Sequence, residues 1–247
     1  MTTRRIAAVL GVLLATNAPA AQIVYTGTQV ELAGTGFGNV TNLLSLQAGA
    51  QSNSEFGSVS WNGSADVLGG AAANTSKTQS ATALVAAGID ANTGLGLVFN
   101  INEPGNASDV TLHDFTVHFT DGAGASLFDA TYTAPVGGLS LSDTGGTGQS
   151  GHLFWLWLTP DELNQFFASG TNRAGMSVGS PNAIGNVAGG TENFFLAPYR
   201  PNDPGGPGPG GEPVPEPASV AVWGALAVAG LAWRRRRSTA TAALAGV

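Results

Sequence analysis

This sequence predicts a mainly β fold, a β-sandwich or jelly-roll-like domain with one short helix. Three observations carry that expectation. Short apolar or alternating runs are separated by clusters of Gly, Ser, Thr, Asn and Asp, the residues that build turns. Glycine occupies 36 of 247 positions while only 10% of side chains are charged, which suits many tight turns. Cysteine is absent, so no disulfide staples the domain and its stability must come from burial.

The elements follow in chain order. Residues 22–32 (QIVYTGTQVEL) alternate weakly and read as a strand. Residues 56–68 alternate around Trp61 and Asn62-Gly63, a dipeptide that favours a hairpin. Over 71–87 the composition allows a helix, but the density of Thr and Ser between Gly69-Gly70 and Gly88 favours strand. Leu95 to Ile101 is a buried strand candidate. Val110 to Thr120 is the clearest strand, with Phe115, Val117 and Phe119 on one face and Asp114, Thr116 and His118 on the other. Asp121-Gly122 turns the chain, and residues 126–133 return as the hairpin partner.

His152 to Leu158 (HLFWLWL) is apolar on both faces and reads as a central strand covered on both sides. A helix follows at once: Thr159 caps it, Pro160 takes the first helical position and Glu162 completes a T-x-x-E capping box. Leu163, Phe166 and Phe167 give that helix an apolar face, and it ends near Gly170. Residues 173–178 and 192–197 supply two further strands. Residues 201–213 are Pro and Gly with two acids, an extended linker.

The two ends read as sorting segments. Arg4 and Arg5 precede an apolar h-region from Ile6 to Ala15, and Ala18-Pro19-Ala20 forms an A-x-A cleavage site. The expected mature chain starts near Ala21 after cutting by signal peptidase. At the other end Val214-Pro215-Glu216-Pro217 leads into an apolar run from Ala218 to Trp233, then Arg234, Arg235, Arg236 and Arg237. The run spans about 24 Å as a helix, short against a hydrocarbon core of about 30 Å. Four arginines resist translocation and place that end in the cytoplasm. The prolines keep the motif extended and open to a protease cleft.

This three-part arrangement resembles the PEP-CTERM sorting signal of bacterial proteins. The resemblance covers residues 213–237, and the ten residues after the arginines form a longer tail than its pattern requires. It implies that this chain is a substrate of exosortase, cut at or near the motif and then released or attached at the cell surface, often where exopolysaccharide is made. The stretches around FNINEPGN, LHDFTVHFTDGAGASLFDATY, HLFWLWLTPDELNQFF and TENFFLAPY also look like ectodomains found ahead of such signals, which have no established activity. The expected organisation is a signal peptide (1–20), a β-rich extracellular domain (21–200), a linker with the motif (201–217), a transmembrane helix (218–233) and a basic cytoplasmic tail (234–247).

Charge narrows the partners. All sixteen acids but only Lys77, Arg173 and Arg200 among the cations lie between residues 21 and 217, a formal −13 against −7 for the whole chain. Such a surface disfavours nucleic acid and anionic lipid. It permits Ca²⁺, for which Asp109, Asp114, Asp121 and Asp129 around the expected hairpin are candidates, although turn-forming aspartates are the plainer reading.

No coherent catalytic set stands out. Gly175-Met176-Ser177-Val178-Gly179 matches G-x-S-x-G but lies within a strand candidate with no helix after it, where an elbow needs strand, turn and helix. Gly146-x-Gly148-x-x-Gly151 matches a dinucleotide fingerprint but precedes a strand. His113 and His118, five apart, face opposite sides of a strand, and His152 completes the histidines without a zinc pattern. Trp155 and Trp157 read as core, whereas Trp61 and Tyr199 are the surface aromatics for stacking on sugars. The expectation is a non-enzymatic surface or matrix protein without cofactor, structural or adhesive, meeting exopolysaccharide or other envelope components. A carbohydrate-binding module is the alternative. A secreted serine or glycoside hydrolase is the third reading. The serine form requires Ser177, a histidine and an acid to meet in space, and nothing singles out a pair of carboxylates for the glycosidic one.

Overall fold

The computed structural model describes residues 21–31, 41–47, 53–102, 109–142, 150–179, 184–187 and 190–199. The fold is mainly β. Its strands are β1 (Gln22–Glu31), β2 (Thr41–Leu46), β3 (Ser54–Glu55), β4 (Gly57–Trp61), β5 (Asp66–Gly70), β6 (Gln79–Ser80), β7 (Leu95–Ile101), β8 (Val110–Leu112), β9 (Phe115–Thr120), β10 (Ser126–Tyr132), β11 (Leu139–Leu141), β12 (Ser150–Trp157), β13 (Arg173–Val178), β14 (Ile184–Gly185) and β15 (Glu192–Pro198). Two helices accompany them among the described residues, α1 (Ala81–Ala86) and α2 (Pro160–Phe167).

Among the described residues the strands form two sheets. The larger runs β2-β15-β7-β12-β1-β10-β9-β13-β4-β5, with β6 also on β13, and the smaller runs β11-β8-β14-β3. Pairing is antiparallel except between β1 and β10, which run parallel through Gln22 and Thr131. Both sheets contribute to one buried cluster: Phe115, Phe119, Phe154 and Phe194 from the larger, and Val110, Leu112, Leu141 and Ile184 from the smaller. The large sheet curls, because Phe115 on β9 reaches Phe154 on β12 (ring centroids 5.3 Å) and Phe194 on β15 (5.8 Å), strands well separated in its order.

Alternation accounts for most strands. On β9, Phe115, Val117 and Phe119 are buried while Thr116, His118 and Thr120 are partly exposed. The β9–β10 hairpin forms as expected, and so does β4–β5, where Asn62 Oδ1 accepts from the N–H groups of Ser64 and Ala65 and closes the turn. The capping box of α2 is complete: Thr159 Oγ1 accepts from Glu162 N, and Glu162 Oε2 accepts from Thr159 N at 2.7 Å.

Three expectations need correction. The run from Val110 to Thr120 is two strands in different sheets. Val110 and Leu112 are buried, and so are Phe115 and Val117, so the inward phase slips by one residue across His113-Asp114. Residues 71–87 are not mainly strand. After the short β6, Ser80 accepts from Ala83 N at 3.1 Å and starts α1, which buries Ala81 and Leu84. The described residues accordingly hold two helices where one was expected. Finally, β12 is interior to its sheet but not covered throughout, since Trp157 is 51% exposed. The segments 1–20 and 200–247, with the expected signal and membrane helices, lie outside the described residues.

Two tyrosines make the fold sensitive to alkali. Tyr25 Oη lies 3.1 Å from His152 Nδ1, and His152 Nε2 lies 3.2 Å from the Ser142 carbonyl. A carbonyl only accepts, so Nε2 carries the proton and, in the neutral ring, Nδ1 accepts from the Tyr25 hydroxyl. Burial holds the Tyr25 phenol above its ordinary value of 10.0. Tyr132 is raised by burial first, then by the nearby Tyr25 and Asp114. Folding therefore favours the neutral phenols. That contribution is complete below about pH 10 and is lost as pH rises through the raised folded-state values. In a 295 nm titration, two of the three tyrosines should ionise later in the native protein than in urea. The urea midpoint should fall above about pH 10. Coincident native and unfolded titrations would refute this.

Candidate functional site

Two clusters of chemistry-bearing side chains stand out, one on the face of the large sheet opposite the core and one where that face meets the end of the sheet. The first spans β10, β9 and β13. Asp129 and His118 are register partners across β10 and β9, and Ser177 lies diagonally across on β13. His118 Nδ1 stands 3.0 Å from Asp129 Oδ1, and His118 Nε2 stands 2.7 Å from Ser177 Oγ. An ionised carboxylate can only accept, so Nδ1 bears the proton. In the neutral imidazole, Nε2 then accepts from the Ser177 hydroxyl, the arrangement a general base requires. The group lies in the open, with side-chain exposures of 32% for His118 and 50% for Asp129.

In the sequence G-x-S-x-G and the lone histidines stand apart, and the structure brings Ser177 to His118. The outward phase of His118 and of Ser177 can each be read from alternation. Their meeting depends on the pairing of β9 with β13, which have no local link in sequence. The glycine frame is nevertheless not an elbow. Ser177 lies within β13 and pairs with Thr116 on one side and Ser58 on the other. Gly175 has another task, because a Cβ there would stand 2.6 Å from the Val59 carbonyl oxygen. At this point β4 leaves the edge of β13 and β6 replaces it, so the β4 backbone passes close over Gly175.

The second cluster lies at the end of β12 and β15. A cleft of about 290 Å³ is lined by Asn92, Trp155, Leu158, Leu163, Asn164 and Tyr199 with their neighbours, and none of its lining residues is charged. Trp155 and Trp157 stack on one another, centroids 5.4 Å apart and planes within 13°. Tyr199 lies over Gly96, where an added Cβ would stand 2.7 Å from the tyrosine Cβ, so only glycine admits the ring. Beneath them Val98, Leu153 and Ala197 form a small buried cluster covered by Val30, Phe195 and Tyr199. That cover ends before Trp157, which is exposed, and Trp155 is half-buried, so the reading of the two tryptophans as core is corrected. Trp61 is half-buried: the Arg173 guanidinium lies over one face of its ring at 3.9 Å and its Nε1 donates to the Gly122 carbonyl, so that face is occupied.

The remaining candidates do not assemble. Asp109 accepts from Ser140, Asp114 from Ala134 N, and Asp121 from Ala123 N and Ala125 N. Among the described residues no three acidic or histidine side chains gather into a group that could hold a metal. His113 sits beside Gly138, away from His118. Gly146 and Gly148 lie outside the described residues, as do Ala18, Ala20, Val214, Pro215, Glu216, Pro217 and Arg234 to Arg237. Comparison with family models, curated proteins and solved structures gives no match.

The reading of the glycine frame has a direct check. Gly175→Ala should lower stability by about 1–3 kcal/mol, because the methyl group meets backbone that cannot swing aside. Gly179→Ala, whose nearest neighbour would be 3.8 Å away, should change it by less than about 0.5 kcal/mol. Equal effects in urea denaturation would contradict the assignment of Gly175 to the strand crossing.

Proposed function

We propose that this protein is an exported, exosortase-sorted component of the bacterial cell surface or extracellular matrix, whose β-sandwich-like domain adheres to a neutral glycan. The single observation supporting adhesion to a glycan is the uncharged aromatic cleft with the exposed Trp157 beside it. Sugar rings present apolar C–H faces and hydroxyl edges. Stacked indoles and Tyr199 meet the former, while the Asn92 and Asn164 amides can donate to and accept from the latter. The formal charge of −13 over residues 21–217 repels acidic polymers, which favours an uncharged exopolysaccharide. Export and sorting rest on the sequence: the signal at the first twenty residues, then Val214-Pro215-Glu216-Pro217, the apolar run and the four arginines. Exosortase and signal peptidase are the processing partners in this reading, and the linker holds the domain away from the membrane.

Two measurements test it. Full-length protein in detergent should bind a neutral polysaccharide on an array or by calorimetry. Trp157→Ala should weaken that binding by about tenfold, the loss of roughly 1.4 kcal/mol of stacking, with an unchanged circular dichroism spectrum. Full affinity in the variant, or no binding to any neutral glycan, would remove the adhesive role. Separately, the exported protein's intact mass should correspond to residues from near Ala21 to near Pro217 only in a host with working exosortase. A mass that retains Arg234 to Arg237 in both strains would mean a plain membrane anchor.

A further inference from the structure

Ser177 and the exposed Trp157 beside the cleft share one face and one row. Register pairs run from Trp157 on β12 to Gln22 on β1, Thr131 on β10, Thr116 on β9, Ser177 on β13 and Ser58 on β4. Residues directly opposite each other in a ladder point to the same side of the sheet. Trp157, Gln22 and Thr131 are exposed and Thr116, Ser177 and Ser58 partly so. Trp157 and Ser177 are four strand spacings apart, about 19 Å, and hydroxyl and amide side chains line the way. A glycan chain resting on the tryptophans can follow this row to the serine.

We propose that Ser177 is a nucleophile toward carboxylic esters, with His118 as its base and Asp129 as the positioning residue, and that its substrate is an O-acylated glycan held on the same face. The substrate class rests on the glycan-binding reading above, whereas the reactivity of Ser177 does not. In the first step Ser177 Oγ bonds to the acyl carbon and its proton passes to His118 Nε2. The ester C–O bond then breaks, and the sugar oxygen leaves with that proton. In the second step His118 takes a proton from water, the hydroxide attacks acyl-Ser177, and the proton returns to the serine as the carboxylic acid departs. Asp129, on Nδ1, holds the ring in the accepting tautomer and stabilises the imidazolium between steps.

The Ser177 N–H belongs to an interior strand and is directed into the ladder. The hydroxyls on the strands to either side would have to turn to serve the developing oxyanion, Thr116 from its 3.1 Å bond with Thr131 Oγ1 and Ser58 from its place over Gly69. Hydroxyls rotate and are less preorganised than fixed N–H groups, so slow turnover is the expected behaviour.

The test uses the full-length chain in detergent. A fluorophosphonate probe should modify Ser177, identified by peptide mass spectrometry, and p-nitrophenyl acetate should release p-nitrophenol. Ser177→Ala should abolish both. His118→Gln should slow both by about a hundredfold or more, and Asp129→Asn should slow them less. Each variant is first checked for native circular dichroism and an unchanged urea midpoint. Absence of an adduct at Ser177, or an adduct whose rate is indifferent to His118→Gln, would overturn the proposal. Small reagents need no glycan, so a chain that labels at Ser177 but binds no polysaccharide keeps the reactivity and loses the adhesive reading. A reactive Ser177 that releases no acetate from an O-acetylated neutral polysaccharide would overturn the substrate assignment.

Discussion

Everything in this fold depends on the aromatic contacts made by Phe115. Its ring stacks with Tyr132 on the neighbouring strand and touches Phe154 and Phe194 from distant strands. Phe194 stacks in turn on Phe99, with centroids 4.6 Å apart. These rings draw the two halves of a long sheet towards one another. Without disulfides, closure of the curl must be held by such burial, and each large ring removes roughly 150–250 Å² from water. The smaller sheet joins the same cluster because the chain changes sheets between Leu112 and Phe115, just before this hub.

A sheet that curls around its core commits one face to apolar packing and leaves the other to function. Here the outer face is divided. Near β13 it is polar, with Ser, Thr, His and Asp in hydrogen-bonded groups. Near β12 and β15 it is aromatic and carries its own small apolar floor. The difference follows from period two: the same alternation that sends Phe154 and Leu156 inward sends Trp155 and Trp157 outward. The triad of side chains on β10, β9 and β13 needs no loop excursion, whereas the cleft adds the turn at Asn92 and Gly94 and the start of α2 to the end of the sheet. Glycine enters where a neighbour must come close, Gly96 beneath Tyr199 and Gly175 beneath the β4 backbone.

Much of the strand content was legible because alternation and turn chemistry are local. The capping box at Thr159 and Glu162, the Asn62 turn and the β9–β10 hairpin each depend on residues a few positions apart. The sheet change was visible only as a one-residue slip in the inward phase, easily absorbed into one long strand. The helix α1 was obscured because Ser and Thr lower helix propensity while its anchoring residue, Leu84, depends on tertiary burial. The outer-face clusters were the least legible. Asp129, His118 and Ser177 come from three strands, and the register between β9 and β13 is set across 59 residues. Whether Trp155 and Trp157 are covered depends on how far the outer apolar floor extends, which period two does not encode.

The position of β1 bears on how the chain acquires its structure. It precedes the other described strands in sequence, yet it sits in the middle of the large sheet, between β12 and β10. Its partners lie more than 100 residues further along, with Gln22 opposite Trp157 and Thr131. A chain that emerges amino end first therefore presents β1 long before either neighbour exists. Closing such long loops costs entropy before any ladder bond repays it. The β9–β10 and β4–β5 hairpins need no such wait. Folding should thus proceed from these hairpins inward, and the insertion of β1 becomes the step that joins the two halves of the sheet.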